Sequence, residues 1–199
     1  MAIGTADEAE LATAGTNGAA KVLHVSDERL NAGLIQPYAE VITSAMNESG
    51  AEILVTAKSS LADAVVGRVS AKLGASLASN VAELPDTSNG FVVKRSIYTG
   101  KAFANVSITT DKKILAIKKN AVEVKTGAGT AAVEAFEVNL DDTLFGATIT
   151  ATEKAEGDIL LPEADLVVSG GRGLKGPENW GMIEELAKTL GAATGCSKP

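Results

Sequence analysis

Two cations lie among closely spaced glycines near the end of the chain, an arrangement that could bind an anion. The apolar run 166–168 predicts a buried strand. Four glycines follow between residues 170 and 176, with Arg172 and Lys175 among them, and glycine lets a backbone turn tightly or approach another group closely. Pro177 suits the first turn of a helix. A strand, a cationic glycine-rich turn and a helix N-terminus together could form a phosphate cradle.

The same glycines also fit a second interpretation. Gly171, Gly173 and Gly176 have the G-x-G-x-x-G spacing of a dinucleotide-binding turn. That fingerprint also needs an acidic residue about 20 residues further on, and none follows Gly191. Because many turns between a strand and a helix are glycine-rich for steric reasons alone, anion binding and plain turn geometry both stay open.

The sequence offers little for acid–base or hydrolytic chemistry. It has one histidine, His24, and one cysteine, Cys196, and so it shows neither a His/Cys zinc site nor a hydrolytic triad. His24 is predicted to be a packed strand residue, and Cys196 is predicted to be buried. Asp141 and Asp142 suit a turn. We therefore expect no catalytic residues.

Charge and composition limit the partners and the compartment. The net charge of −7 argues against a nucleic-acid or anionic-membrane surface. No run reaches the roughly 18 apolar residues of a membrane span, and the N-terminus lacks a signal-peptide pattern. A single cysteine excludes an internal disulfide. We expect a cytoplasmic protein without a membrane span.

Residues 1–83 alternate between strand and helix patterns. The predicted elements are, in order, the end of a strand at 1–3, a helix over 6–14, a strand at 21–25, a helix from Gln36 to Met46, a strand at 53–56 and a helix over 61–73 with its N-cap at Ser59 or Ser60. Such alternation predicts βαβ units and a parallel sheet.

Residues 85–152 are predicted to be antiparallel. The predicted strands are 91–98, 102–109, 114–118, 133–138 and 147–152. Short turns at 99–101 and 110–113 join the first three, and such connections are typical of hairpins. The fold class is therefore α/β: a parallel sheet flanked by helices, as in three-layer nucleotide-binding domains, with an antiparallel β section.

Two domains are expected, 1–160 and 161–199. The second comprises the strand, the glycine-rich turn, a helix and a hinge, and residues 192–195 look like the start of a further domain. The chain also begins at the end of a strand, so we expect a segment of a larger protein. An absent first strand leaves its neighbours unpaired, which predicts self-association.

Three blocks of sequence resemble the alpha subunit of electron transfer flavoprotein. They are Gly-Arg-Val-Ser-Ala-Lys-Leu at 67–73, Arg-Ser-Ile-Tyr-Thr-Gly-Lys-Ala at 95–102 and Val-Ser-Gly-Gly-Arg-Gly-Leu-Lys at 168–175, the last followed by Glu178-Asn179 and Gly195-Cys196-Ser197. They occur in the family's order and span most of the chain.

The resemblance implies an electron carrier rather than an enzyme with its own substrate. In this family the alpha subunit pairs with a beta subunit, and the heterodimer carries FAD. It accepts electrons from flavin dehydrogenases, such as the acyl-CoA dehydrogenases of fatty acid β-oxidation, and passes them to a membrane quinone reductase of the respiratory chain. Most FAD contacts lie in family segments beyond those matched here, so we expect this chain alone to bind FAD weakly or not at all.

The resemblance also implies the site residues. Arg172 and Gly173 fall at an FAD-contacting turn, and Ser197 falls at a flavin-site serine. Lys198 stands where many members have an arginine beside the isoalloxazine ring; lysine keeps the charge but lacks the planar guanidinium. Two other functions stay open: a nucleotide- or phosphate-binding α/β module, and a structural interaction domain, each without a redox role.

Overall fold

The computed structural model describes residues 1–152, 161 and 164–196. The chain divides into two compact units, Met1–Thr148 and Ile149–Pro199. Residue 160, at the predicted domain boundary, lies outside the described residues, so that boundary stays a prediction. No helix in the described ranges is long and apolar enough to cross a membrane.

The first unit contains three α-helices and eight strands. The helices are α1 (Glu8–Ala12), α2 (Ile35–Ser49) and α3 (Ser60–Leu73). The strands are β1 (Ala2–Ile3), β2 (Lys21–Val25), β3 (Ile53–Ala57), β4 (Ser76–Val81), β5 (Val92–Ile97), β6 (Ala102–Ser107), β7 (Lys113–Ile117) and β8 (Ala132–Ala135). The second unit contains β9 (Val167–Gly170), α4 (Gly181–Leu190) and β10 (Ala193–Cys196).

The strands of the first unit form two sheets. One has the order β1-β2-β8 and is parallel throughout. The other has the order β3-β7-β4-β5-β6, with β3, β7 and β4 parallel and β5 and β6 antiparallel at its far edge. An α-helix lies between successive strands from β1 to β4. This arrangement confirms the predicted α/β class, and β5 and β6 confirm an antiparallel section.

Local sequence explains where the main helices begin and end. The Ser59 hydroxyl accepts a hydrogen bond from the Ala62 N–H at 3.1 Å, so it caps α3 as predicted. α2 and α3 end at Gly50 and Gly74, whose φ angles of 67° and 61° lie in the left-handed region that favours glycine.

The largest core cluster lies between the two long helices and the five-stranded sheet. Ala39 and Met46 of α2 and Val65 and Val69 of α3 pack with Ile114 of β7. Burying an aliphatic side chain of this size contributes about 1.5–3 kcal/mol. This cluster therefore fixes both helices on the sheet.

The second predicted hairpin is wrong. β5 and β6 pair antiparallel as expected, but β7 does not pair with β6 and instead lies between β3 and β4, parallel to both. Its residues 114–116 are all buried, because a strand inside a parallel sheet is covered on both faces. The connection at 110–113 is therefore a crossing to the centre of the sheet.

Three further elements differ from the prediction. β4 was not predicted; its sequence Ser-Leu-Ala-Ser-Asn-Val mixes polar and apolar residues without a clear period, and its pairing with β7 shifts register between Ser79 and Val81. Residues 147–152 are not a strand. β8, predicted within the antiparallel section, instead pairs parallel with β2. Residues 193–196 form β10, and the expectation that 192–195 lead into a further domain stays a prediction.

The second unit is a single βαβ unit. β9 and β10 are parallel neighbours, with Val167 opposite Ala193 and Gly170 opposite Cys196. α4 contacts both strands and buries Ala187. The glycine-rich turn therefore joins the carboxyl end of β9 to the start of α4.

Candidate functional site

The candidate site lies at the carboxyl ends of two parallel strands. The register of β9 and β10 brings Gly170 and Cys196 side by side. In open α/β sheets ligands bind at this end of the strands, where turns and helix N-termini meet. The strand–turn–helix order expected from the sequence is confirmed.

The glycines of the turn differ in whether the surrounding atoms leave room for a side chain. A Cβ atom on Gly170 would lie 2.4 Å from both Leu174 Cδ1 and Trp180 Cζ3, so this glycine lets the turn and helix pack on the strand. A Cβ on Gly171 or Gly173 would meet no atom within 4 Å, and neither residue has a left-handed φ. The chain's own packing therefore does not require glycine at these two positions, and each leaves room for the backbone to be approached by a ligand.

Hydrogen bonds hold the turn in one conformation. The N–H groups of Leu174 and Lys175 donate to the carbonyls of Gly171 and Arg172, each at 3.0 Å. The Asn179 side-chain amide donates to the Leu174 carbonyl at 2.8 Å. Lys175 adopts a φ of 65°, which is uncommon for a residue with a side chain. A fixed turn can present its cations without first being ordered.

Arg172 and Lys175 are available to an anion. Both residues are exposed, and no hydrogen bond or ion pair within the described ranges uses the Arg172 guanidinium or the Lys175 ammonium. Elsewhere in the chain, by contrast, Arg29 pairs with Asp27 at 2.7 Å and Lys21 with Glu134 at 2.8 Å. Within the described residues, both cations of the turn are therefore free to bind an anion.

The turn encloses only a small cavity of about 260 Å³, lined by Gly171, Arg172, Lys175, Trp180 and Cys196 among others. Pockets for drug-sized ligands measure about 300–1,000 Å³. The cavity that the described residues form is therefore too small to enclose a ligand of that size by itself. Its glycine backbone and cationic side chains suit the phosphates or the ring of such a ligand.

Two of the four predicted site residues lie in this turn, Arg172 and Gly173. Ser197 and Lys198 lie outside the described residues, so their assignment stays a prediction. Cys196 is exposed at the end of β10 and lines the cavity, so the expectation of a buried cysteine is wrong. A small-residue strand suggested burial, but this cysteine ends the strand at the open edge. Lys175 was not among the predicted site residues, although its spacing from Arg172 was visible.

Other predicted polar residues have structural roles. The His24 Nε2 lies 2.8 Å from the Gly4 carbonyl oxygen, as expected for a strand residue packed against its neighbour. Asp141 accepts a hydrogen bond from the Thr143 N–H at 2.8 Å and caps a short 3₁₀ turn. Hydrogen bonding by Thr143 lowers the pKa of the Asp141 carboxyl.

Besides the cavity at the glycine-rich turn, the structure has a polar cavity in the first unit, at the motif 95–102. It measures about 450 Å³ and includes Arg95 and Lys118 among its lining. Tyr98, Thr99 and Gly100 have consecutive left-handed φ angles of 50°, 56° and 86°. The Arg95 Nη2 donates to Ser79 Oγ at 3.0 Å, which ties this cation to β4.

Comparison with known proteins matches both units to one group. Residues 1–141 match the family described as "Electron transfer flavoprotein domain". Residues 160–199 match "Electron transfer flavoprotein FAD-binding domain".

Curated relatives match over nearly the whole chain. "Electron transfer flavoprotein subunit alpha" of Bacillus subtilis (strain 168) is 30% identical over 184 residues, 91% of this chain and 56% of that protein. "Probable electron transfer flavoprotein subunit alpha, mitochondrial" of Caenorhabditis elegans is 32% identical, over 92% of this chain and 54% of that protein. "Protein FixB" of Escherichia coli O127:H6 is 29% identical, over 98% and 61%. The chain thus spans little more than half the length of these relatives.

Proposed function

Because the chain belongs to the electron transfer flavoprotein family, we propose that it is part of the alpha subunit of an FAD-containing electron carrier. A beta subunit completes the heterodimer in this proposal. FAD supplies the redox chemistry when bound, since it can accept and release electrons. The protein acts as a carrier and not as a catalyst with its own substrate.

One observation supports this function most directly. Arg172 has no ion-pair partner among the described residues and lies in a hydrogen-bonded turn, next to glycines whose Cβ positions are open. The turn lies within the residues matched by the FAD-binding family. These groups fit a dinucleotide, because backbone and guanidinium can both approach a phosphate or a flavin ring closely. The proposed FAD-contacting residues are Arg172, Gly173, Ser197 and Lys198, and the last two rest on sequence resemblance.

In this proposal Arg172 acts on the flavin electrostatically. A fixed cation beside a flavin favours the more negatively charged redox form, and its effect is larger where water is excluded. Arg172 therefore raises the reduction potential in this proposal, with Lys175 adding to the same field. No covalent bond to the protein is needed.

The redox partners and the compartment are also proposals. Flavin dehydrogenases, such as acyl-CoA dehydrogenases of fatty acid β-oxidation, donate electrons, and a membrane quinone reductase accepts them. The carrier works in the cytoplasm, which agrees with a single cysteine and an acidic surface.

The test combines ligand titration with assembly. We expect the 199-residue chain alone to bind FAD weakly, because the turn forms one wall of the site, and to acquire flavin only in a complex that contains a beta subunit. The measurements are FAD, AMP and ATP titrations of the chain, and the visible spectrum of the purified complex. Stoichiometric flavin on the chain alone would refute the first expectation.

Variants of matched charge sharpen the test. In the flavin-loaded complex, Arg172→Gln should lower the reduction potential, whereas Lys188→Gln, which removes an exposed cation on α4, should leave it nearly unchanged. Strong preference of the chain for ATP would favour a nucleotide-binding module. A stable complex without flavin would favour a structural interaction domain.

A further inference from the structure

The polar cavity at the motif 95–102 lies in the first unit, whereas the glycine-rich turn lies in the second. Its volume of about 450 Å³ falls within the range of about 300–1,000 Å³ that is typical of small-molecule sites. It is lined by Asn80 of β4, residues 95–97 of β5, the turn 98–100 and Lys118. The proposed flavin contacts include none of these residues.

The topology of the five-stranded sheet explains why the cavity forms here. β4 and β7 are parallel, and Asn80 and Lys118 lie at their carboxyl ends, the end at which ligands bind in open α/β sheets. Asn80 has a φ of 57°, and the register of β4 with β7 shifts at this residue. Such bulges redirect side chains and are frequent beside active sites. β5 pairs antiparallel with β4 at Arg95, so the cavity lies where the parallel part of the sheet meets its antiparallel part.

Two cations line the cavity without a carboxylate to balance them. None of the described residues that line it is an aspartate or a glutamate, although the whole chain has a net charge of −7. Lys118 is exposed and forms no ion pair within the described ranges. The neighbouring cation Lys94, by contrast, pairs with Glu83 at 2.5 Å. The positive charges of Arg95 and Lys118 are therefore available to an anion.

Arg95 is held in place, but its hydrogen-bonding groups are only partly used. Its Nη2 donates to Ser79 Oγ at 3.0 Å, which is an uncharged partner. Its Nε is buried and has no hydrogen-bond partner among the described residues. Removing a cation from water without a counter-charge costs free energy. An anion beside this guanidinium would reduce that cost.

Ser96 adds a hydroxyl that the chain does not use. The residue is only 7% exposed, and its hydroxyl forms no hydrogen bond with another described residue. It faces the turn at Gly100, where a Cβ atom would lie 3.8 Å from Ser96 Oγ. Because most buried hydroxyls have a hydrogen-bond partner, an unpartnered hydroxyl that lines a cavity indicates a ligand.

We propose that this cavity binds a phosphate group, either free or as part of a small phosphate monoester. Arg95 and Lys118 together supply two positive charges, which match a phosphate dianion better than a singly charged carboxylate. The Ser96 hydroxyl donates to a further phosphate oxygen. The site lies in the first unit and does not depend on the proposed flavin function.

An NMR titration of the isotope-labelled 199-residue chain with inorganic phosphate tests the proposal. Sodium chloride keeps the ionic strength constant, because added salt by itself weakens interactions between exposed charges. Phosphate should shift the amide signals of Ser96, Gly100 and Lys118 along one saturation curve. Shifts confined to the glycine-rich turn, or shifts that do not saturate, would overturn the site.

Matched variants test the side chains. Lys118→Gln and Ser96→Ala should each weaken phosphate binding at least about fivefold, because each removes a hydrogen bond to a charged group. Lys125→Gln, at an exposed lysine outside the lining, should change the affinity less than about twofold, because salt screens distant charges. Equal effects of Lys118→Gln and Lys125→Gln would indicate unspecific attraction and would contradict the proposal.

Thermal unfolding separates binding from packing. Phosphate should raise the melting temperature of the unmodified chain, because a ligand that binds only the folded state stabilises it. Ser96→Ala should reduce this rise without lowering the melting temperature in the absence of phosphate, since the hydroxyl has no partner in the described chain to lose. Arg95→Gln is less informative because it also removes the bond to Ser79. A Ser96→Ala chain that is less stable but binds phosphate normally would exclude Ser96 from the site.

Tyr98 distinguishes free phosphate from an aromatic ester. It is 77% exposed and lines the cavity, so its ring can pack against an aromatic group. Phenyl phosphate that binds at least about threefold more tightly than inorganic phosphate, with the gain lost in Tyr98→Leu, would identify an aromatic ester as the ligand. Equal affinities would identify the phosphate group alone. Benzoate that binds as tightly as phenyl phosphate would overturn the phosphate assignment.

Discussion

At the scale of single residues, left-handed backbone conformations occur at both polar cavities described above, one at the glycine-rich turn and one at Arg95. Lys175 adopts one in the glycine-rich turn, and Tyr98 and Thr99 adopt them beside Arg95. Such conformations cost residues with side chains roughly 1–2 kcal/mol. The sequence predicted the location of both turns through their glycines and cations. It did not predict these conformations, because turns of similar composition adopt several backbone conformations.

Thr99 provides a direct test of this strain. A β-branched residue at a φ of 56° is strongly disfavoured, so Thr99→Gly should raise the free energy of unfolding by roughly 0.5–1 kcal/mol after the greater chain entropy of glycine is subtracted. Urea unfolding followed by circular dichroism measures this change. Thr126→Gly, in an exposed loop without a left-handed φ, should bring no gain. A loss of stability in Thr99→Gly would show that the threonine side chain contributes more than the strain costs.

At the scale of elements, caps and apolar periodicity were predictable and strand order was not. The sequence correctly predicted β2, the start and end of α3 and the β5–β6 hairpin. It did not predict that β7 crosses to the centre of the sheet, because a short turn and a short apolar run are compatible with either neighbour. Burial on both faces decides the position of β7, and burial depends on the whole fold.

Helix α3 depends on its N-cap. Ser59→Ala removes the acceptor for the Ala62 N–H and should lower the free energy of unfolding by about 1 kcal/mol. Ser60→Ala, at the first helical residue, removes a hydroxyl without removing the cap and should change stability by less than about 0.5 kcal/mol. Equal losses in the two variants, measured by chemical denaturation, would assign the effect to something other than the cap.

At the scale of the whole molecule, two units carry separate sites. The glycine-rich turn lies in the βαβ unit, and the polar cavity at Arg95 lies in the unit with two sheets. Two of the four proposed flavin-contacting residues, Arg172 and Gly173, lie among the described residues, and their contact with flavin stays a prediction.

Open edges make self-association the expected behaviour of the 199-residue chain. Exposed apolar strand edges recruit other chains, so light scattering should show a mass that rises with concentration. Val55→Lys, which places a charge on the exposed edge strand β3, should lower that mass, and Val124→Lys, at a valine that is 79% exposed outside the strands, should leave it unchanged. A constant monomer mass at high concentration would exclude association through these edges.

The central position of β7 has a consequence for the order in which the chain is made. β3 and β4 are synthesised some 40 to 60 residues before the strand that lies between them, counting from Ile53 and Ser76 to Lys113. Until residue 117 has left the ribosome, the inner edges of both strands have no permanent partner. During synthesis of residues 82–117 the nascent chain therefore carries two unpaired inner strand edges, which are prone to aggregate and suit protection by a chaperone.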